Sequence, residues 1–408
     1  MLTGVLGGES WPQRQWDRET GVRILLLSAY HAASHRYWCE GMMEALPEHD
    51  WRLLTLPARY FSWRIRGAPL SWLAEQRDLL QQPYDLLIVT SMVDLATLKG
   101  LVPSLARTPT LLYVHENQFA YPKSSAQHPG VEAQMVNIYA ALAADRVLFN
   151  SAFNRDSFLA GARELLARLP DHRPRTLDQL LQGRIEVLPV PLREHRTDKA
   201  KSETLAPGSG LGSKPASAPL RLLWAARWEY DKGPERLLAL MQLLEVRGID
   251  FQIAILGEQF RQIPEPFTQI EQQFGHRLAQ FGYAESRADY QGWLDWAQLV
   301  ISTSIHEFQG VAVLEAIEAG ALPVLPDRLA YPELVPSKYL YASDLESIEQ
   351  EAQHAADLIQ TQWQRLAEGS AKAPSVTWLQ WREQAAAYRR CFEQTLEQVD
   401  KGRRVTES

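Results

Sequence analysis

The strongest constraint on the fold is a recurring unit: a short, uninterrupted apolar run, then small or polar residues, then a stretch with helical spacing. VRILLLS at 22–28, DWRLLTL at 50–56, YDLLIVT at 84–90, PTLLYV at 109–114 and DRVLFNS at 145–151 carry it through the first half. LWAAR from 223 on, FQIAILGE at 251–258, LVI at 299–301 and PVLP at 323–326 carry it through the second. Runs that stay apolar, instead of alternating, belong to strands covered on both faces, as in parallel sheets flanked by helices. A βα unit repeated in this way builds a doubly wound α/β layer structure.

The two series are separated by 194–219, a segment of Lys, Ser, Ala, Gly and Pro with almost no large apolar residue, which has linker composition. The expected organisation is an N-terminal extension (1–21), a Rossmann-like domain (22–193), the linker (194–219), a second Rossmann-like domain (220–375) and a C-terminal helix (376–408). In that last segment Trp378, Trp381, Ala385, Tyr388, Phe392 and Leu396 recur at helical spacing, a stripe made for packing on a domain. A chain of 408 residues is long enough for two cores.

Ligands of such sheets bind beyond the carboxyl ends of the strands, so the polar residues there are the candidates for function. After the strand at 299–301 comes SIHEFQGVAVLEA (304–316), which holds Glu307 on a loop and Glu315 on the helix that follows, an E-x7-E spacing. Gly310 and the helix start leave N–H groups unpaired, a site suited to a diphosphate. Carboxylates beside it accept from sugar hydroxyls, so the stretch fits a nucleotide sugar. Taken alone, E-x7-E is equally two solvated glutamates flanking a helix. Arg227 and Lys232 stand at the end of one strand and the mouth of the next helix, where two cations can neutralise a diphosphate leaving group.

In the first half, AYHAASH (29–35) connects a strand to a helix expected over 36–46, with Ser34 as its N-cap. HENQ (115–118) directly follows a strand and faces the cleft or caps the loop. The stretch 59–66 interleaves Arg59, Arg64 and Arg66 with Tyr60, Phe61 and Trp63, and is expected as a connection. It is either a phosphate clamp with stacking rings or an amphipathic segment with its rings turned inward. A second basic stretch, 163–175, is either a cationic patch or a solvated face.

The motifs R-x4-K-G-P at 227–234, E-x7-E, and GALPV at 320–324 together resemble the retaining, family 4-type glycosyltransferases of the GT-B fold. Ser34-His35, LTLPA at 54–58 with Trp63-Arg64, HENQ at 115–118, FNSAFN at 149–154 and PDHRP at 170–174 narrow the likeness to the tRNA-queuosine mannosyltransferases. RWE at 227–229, HEF at 306–308, GVA at 310–312 and YPE at 331–333 are similar to the same family. The resemblance implies transfer of mannose from GDP-mannose, with retention, to queuosine at the tRNA wobble position. It implies that Arg227 and Lys232 hold the diphosphate, Glu307 and His115 the hexose, and Glu315 the ribose. Phe308, Gln309, Gly310, Val311 and Gly257 complete the donor side, and Ser34, His35, Arg64, Arg66, Glu116, Asn117, Gln118, Tyr121, Asn150 and Arg173 the acceptor side. The rivals are the same apparatus with another acceptor (a saccharide, a lipid or a small molecule) and a nucleotide-sugar sensor without activity.

A net charge of −7 argues against a basic coat for nucleic acid, though it allows a local patch. No apolar run approaches the ~20 residues of a membrane span, and 1–20 has no signal-peptide pattern. Two distant cysteines, Cys39 and Cys391, make no metal spacing and fit a reduced, cytoplasmic setting. No cofactor and no metal is expected.

Overall fold

The computed structural model describes residues 21–120, 131–195, 218–259 and 262–406, with side chains through 399. β1 (Arg23–Ser28), β2 (Asp50–Thr55), β3 (Leu86–Thr90), β4 (Thr110–Val114), β5 (Arg146–Phe149) and β6 (Ile185–Val187) form one parallel sheet, in the order β2-β1-β3-β4-β5-β6. β7 (Leu220–Ala225), β8 (Phe251–Leu256), β9 (Leu278–Gly282), β10 (Leu299–Ile301), β11 (Leu322–Pro326) and β12 (Leu340–Tyr341) form the other, in the order β12-β11-β10-β7-β8-β9. The uninterrupted runs behave as their composition requires: Ile24 to Leu27, Leu86 to Val89 and Leu222 to Trp224 are buried on both faces. The molecule is therefore two Rossmann-like layers of GT-B type.

Topology fixes where ligands go. The strand order reverses between β1 and β3 in the first sheet and between β7 and β10 in the second. The crevice at such a switch point is where doubly wound folds bind. β7 and β10 lie side by side in register Leu222↔Leu299 and Trp224↔Ile301, so their carboxyl ends deliver Arg227 and the Glu307 loop to one place.

Two expectations need correction. The first helix runs Ala33–Ala45 and is capped by Ala32 without a side-chain bond, so Ser34 lies inside it, exposed, and is not the N-cap. The 59–66 stretch is not a connection: helix Phe61–Glu75 begins there, with Tyr60 as a left-handed N-cap. Its core stripe of Ile65, Ala68 and Trp72 has helical spacing, which the eye drawn to arginines and rings passes over.

The C-terminal helix, Trp381–Thr406, crosses back and packs on the first domain. Trp38 Nε1 donates to the Tyr388 hydroxyl at 2.9 Å, and that hydroxyl donates to the Pro189 carbonyl at 3.1 Å. Gly41 makes room for the crossing, because a Cβ there would lie 2.4 Å from Trp381 Nε1. Residues 192 and 379–381 pair as a bridge between the two layers, through Leu192 N–H to Leu379 C=O and Trp381 N–H to Leu192 C=O. Most of the linker, 196–217, and the extension, 1–20, lie outside the described residues.

Candidate active site

Lys232 closes a 3-10 turn, Tyr230–Lys232, that follows β7. The turn ends on Gly233 at φ +67, where a Cβ would sit 2.2 Å from the Thr303 carbonyl, so glycine alone fits. This tight packing joins the β7 loop to the β10 loop. The Asp231 carbonyl strengthens the join by accepting from the N–H groups of Ile305 and His306 at 2.9 and 3.1 Å.

Lys232 is buried, and its ammonium donates to the His306 carbonyl at 2.9 Å while lying 3.1 Å from Glu307 and 3.2 Å from Asp231. Burial pulls the ammonium down, but Glu307 and Asp231 outweigh it and hold Lys232 above its ordinary value. Burial likewise pushes the Glu307 carboxyl up, and Lys232 reverses it, leaving Glu307 below the usual carboxylate range. The other Glu307 oxygen accepts from Phe308 N–H at 3.0 Å. Arg227 keeps 41% of its side chain exposed and pairs with Glu229 at 2.7 Å, so it remains able to reach a ligand. Gly310, at φ +79, caps the helix Val311–Glu318, whose first turn presents its N–H groups beside Glu307.

Glu315 is occupied. The Tyr290 hydroxyl donates to it at 3.0 Å, Arg287 lies 3.6 Å away, and the hydroxyl of Tyr37, from the first domain, also bonds to it. Burial lifts the Glu315 carboxyl above its usual range. The Gln309 side chain is committed as well, pairing with both the N–H and the C=O of Val190 at 2.8 Å, a peptide-like clasp between the domains. Glu333 adds a second clasp by accepting from the N–H groups of Ala152 and Phe153 at 2.7 and 2.6 Å. The rings of Phe153 and Phe308 meet at 5.8 Å. Gly257 ends β8 in close contact with the Ala226 carbonyl, where a Cβ would lie 1.8 Å away.

From the first domain, Glu116 faces the cations. Burial pushes its carboxyl up, Arg227 and Lys232 pull it down, and Asp231 and Glu229 add to the push, which places all five groups in one field. His115 is buried beneath it, its ring 4.2 Å from that of His35, and none of the four imidazole nitrogens has a protein partner. Burial, then His31 and Arg227, brings His35 down to about 3, and burial, then His35, keeps His115 well below its ordinary value. Both imidazoles are neutral at physiological pH, each able to donate and accept once.

The remaining residues expected on the acceptor side divide. Asn117, Asn150 and Asn154 form a buried amide network: Asn117 donates to the Asn154 side chain at 2.8 Å, Asn154 to Asn150 at 2.7 Å, and Asn150 to the His115 carbonyl at 2.9 Å. They hold the loops after β4 and β5 in shape instead of facing the cleft. Gln118 is buried with its amide nitrogen unpartnered. Arg64 is buried against the Pro57 carbonyl at 3.3 Å, and Arg66 pairs with Asp94 at 2.6 Å. Arg173 is exposed and bonds Leu169 C=O at 2.7 Å. It lies past the far end of helix Ala152–Ala167, whose N-terminus meets Glu333, so ~20 Å of helix separates it from the cleft. Tyr121 falls outside the described residues. Sequence reasoning passed over Asp231, fully buried between the two cations, and Tyr30, Tyr37 and Tyr290; the Asp-Lys pair at 231–232 was the only available signal.

Residues 23–192 match the family model for the tRNA-queuosine alpha-mannosyltransferase N-terminal region. The chain is 34% identical over 322 residues to the tRNA-queuosine alpha-mannosyltransferase of Drosophila melanogaster, covering 78% of this chain and 83% of that protein. Among solved structures, HepE from Anabaena, in complex with UDP and glucose, superposes with a TM-score of 0.60 at 15% identity, over 90% of this chain and 99% of that one. Sucrose-phosphate synthase from Thermosynechococcus elongatus superposes equally well, TM-score 0.60 at 15% identity, over 93% and 94%. At these identities the structures speak for the fold.

Proposed function

This chain belongs to the family of tRNA-queuosine alpha-mannosyltransferases, and on that premise we propose that it moves mannose from GDP-mannose to queuosine in the anticodon of a tRNA, with retention at the sugar carbon. Glycosyltransferase activity comes with the family and the GT-B fold; the donor, the stereochemistry and the acceptor are the proposal. The observation that carries it is the cluster Arg227, Asp231, Lys232 and Glu307 at one switch point, closed over by Glu116 and His115 from the other domain.

In this reading Arg227 reaches the diphosphate as a fork and Lys232 as a point charge, both preorganised where charge develops on departing GDP. Glu307 stays ionised beside Lys232 and accepts from hexose hydroxyls, while the first-turn amides behind Gly310 bind phosphate oxygens. The neutral pair His35 and His115 offers unpartnered nitrogens to the hexose from the opposite side. The bond from the mannose C1 to the phosphate oxygen breaks, and a queuosine hydroxyl oxygen attacks the same face. Its proton passes to the leaving phosphate oxygen. No resident metal or cofactor takes part, and the setting is the cytoplasm, where the tRNA is. Among the described residues no helix is long and apolar enough to cross a membrane. Arg173 contacts phosphates of a part of the RNA remote from the reaction.

The test is a donor panel with queuosine-containing tRNA. GDP-mannose gives a product cleaved by α-mannosidase, whereas UDP-glucose and UDP-galactose give none. Transfer from a uridine donor, or a product resistant to α-mannosidase, overturns the reading.

A further inference from the structure

The start of helix Phe61–Glu75 carries two large aromatic side chains turned to solvent: Tyr60 is 72% exposed and Trp63 51%. Exposed rings of this size cost hydration, and here the backbone is also strained to present one of them. Tyr60 stands in the left-handed region at φ 55 and ψ 56, which residues with a Cβ rarely adopt. Trp63 is held by a different device. An added Cβ at Gly67 would meet three Trp63 ring atoms at 2.4, 2.6 and 2.7 Å, so the ring lies face-on over the gap left by the missing side chain. One face of the indole rests on the helix and the other is open.

A cation adjoins the rings. Arg59 lies over the Tyr60 ring at 5.7 Å, and the stretch from Arg59 to Ala74 holds three arginines and no carboxylate. The platform is also tied to the active site. Phe61 packs edge-on against Tyr30 at 6.1 Å, and the Tyr30 phenol feels Glu116, Arg227 and Glu229. Fixed rings beside a cation and next to a cleft match the chemistry of unpaired bases on a phosphate backbone.

We propose that Tyr60 and Trp63 form a stacking platform for unpaired bases of the RNA acceptor loop, with Arg59 on the adjoining phosphate. This rests on the acceptor being tRNA. It differs from the expectation that Arg64 and Arg66 grip the RNA, since one is buried and the other paired with Asp94.

The probe is a labelled anticodon stem-loop RNA containing queuosine, titrated against the full chain by fluorescence anisotropy at several salt concentrations. Tyr60→Ala and Trp63→Ala each weaken binding about fivefold or more, which is about 1 kcal/mol, and Trp63→Phe recovers most of it. The loss appears in the KM for RNA. Arg59→Ala flattens the salt slope, whereas the ring variants leave it. Gly67→Ala is the discriminating variant: it displaces the indole and so weakens RNA binding, yet alanine in a helix holds or raises the thermal midpoint. If the wild-type chain binds no RNA, the acceptor assignment falls and the platform with it. If it binds RNA and both alanine variants stay within twofold, the platform alone is wrong. A wild-type dimer that Tyr60→Ala or Trp63→Ala converts to monomer by sedimentation makes the rings a self-interface and overturns the proposal too.

Discussion

Arg227 and Lys232 have been given one job, yet the structure makes their removal unequal. Arg227→Ala takes away a guanidinium that is 41% exposed, from a partner, Glu229, that is 30% exposed. Lys232→Ala takes away a buried ammonium, leaves Glu307 without its ion-pair partner, and leaves Asp231, fully buried, with only Arg227 at 3.9 Å. Each variant loses a preorganised donor at the leaving group, so transfer falls by about 10²–10³, or about 3–4 kcal/mol. Stability separates them. A surface pair is worth at most about 1 kcal/mol. Breaking a buried pair from one side costs about 3–5 kcal/mol. At roughly 2–4 °C per kcal/mol for domains of this size, Lys232→Ala lowers the thermal midpoint by ~10 °C and Arg227→Ala by a degree or two. Neutralising a stranded carboxylate, in Lys232→Ala with Glu307→Gln, returns part of the midpoint without returning activity. The assay is calorimetry beside initial rates with GDP-mannose and queuosine-containing tRNA. Equal midpoints for the two single variants would refute the reasoning about burial. Near-native turnover in either would refute the diphosphate assignment.

The same pair sets a pH window. The folded Glu307 carboxyl lies below its ordinary value, so its contribution is full above the unfolded pKa of about 4.3 and is lost as pH falls through the folded one. Lys232 lies above its ordinary value, so its contribution is full below about 10.4 and is lost as pH rises through the folded pKa. The wild-type midpoint therefore stays flat between these limits as far as this pair goes, and Glu307→Gln flattens the acid limb; an unchanged acid limb argues against the pairing. Tyr37→Phe removes one of the donors occupying Glu315, so GDP binds severalfold tighter by calorimetry, about 1 kcal/mol; weaker binding would mean that Tyr37 helps hold the nucleotide. Turnover persists in EDTA, and complete loss restored by Mn²⁺ or Mg²⁺ would show that Arg227 and Lys232 do not suffice.

The layers were legible because parallel strands need apolar residues on both faces, a pattern visible in one dimension at 22–28 or 251–256. That Arg227, Lys232 and Glu307 lie at the carboxyl ends of neighbouring strands was legible because they follow such strands directly. Partners were not. Nothing local announces that Gln309 binds Val190, that Glu333 caps helix Ala152–Ala167, or that Asn117 and Asn150 serve each other's loops. These pairings join residues more than thirty positions apart, many across the two domains. Arg64 illustrates the same limit: a charged residue in an aromatic run looked like a surface grip, and the helical period of its neighbours turned it inward.

The central claim is that this cleft transfers a hexose to queuosine in RNA. The most direct measurement is mass spectrometry of nucleosides from purified tRNA incubated with the protein and GDP-mannose, run beside tRNA lacking queuosine. Queuosine is expected to gain the mass of one hexose, and the tRNA lacking it to gain nothing. Queuosine left unmodified, or hexose appearing on both RNAs, would contradict it.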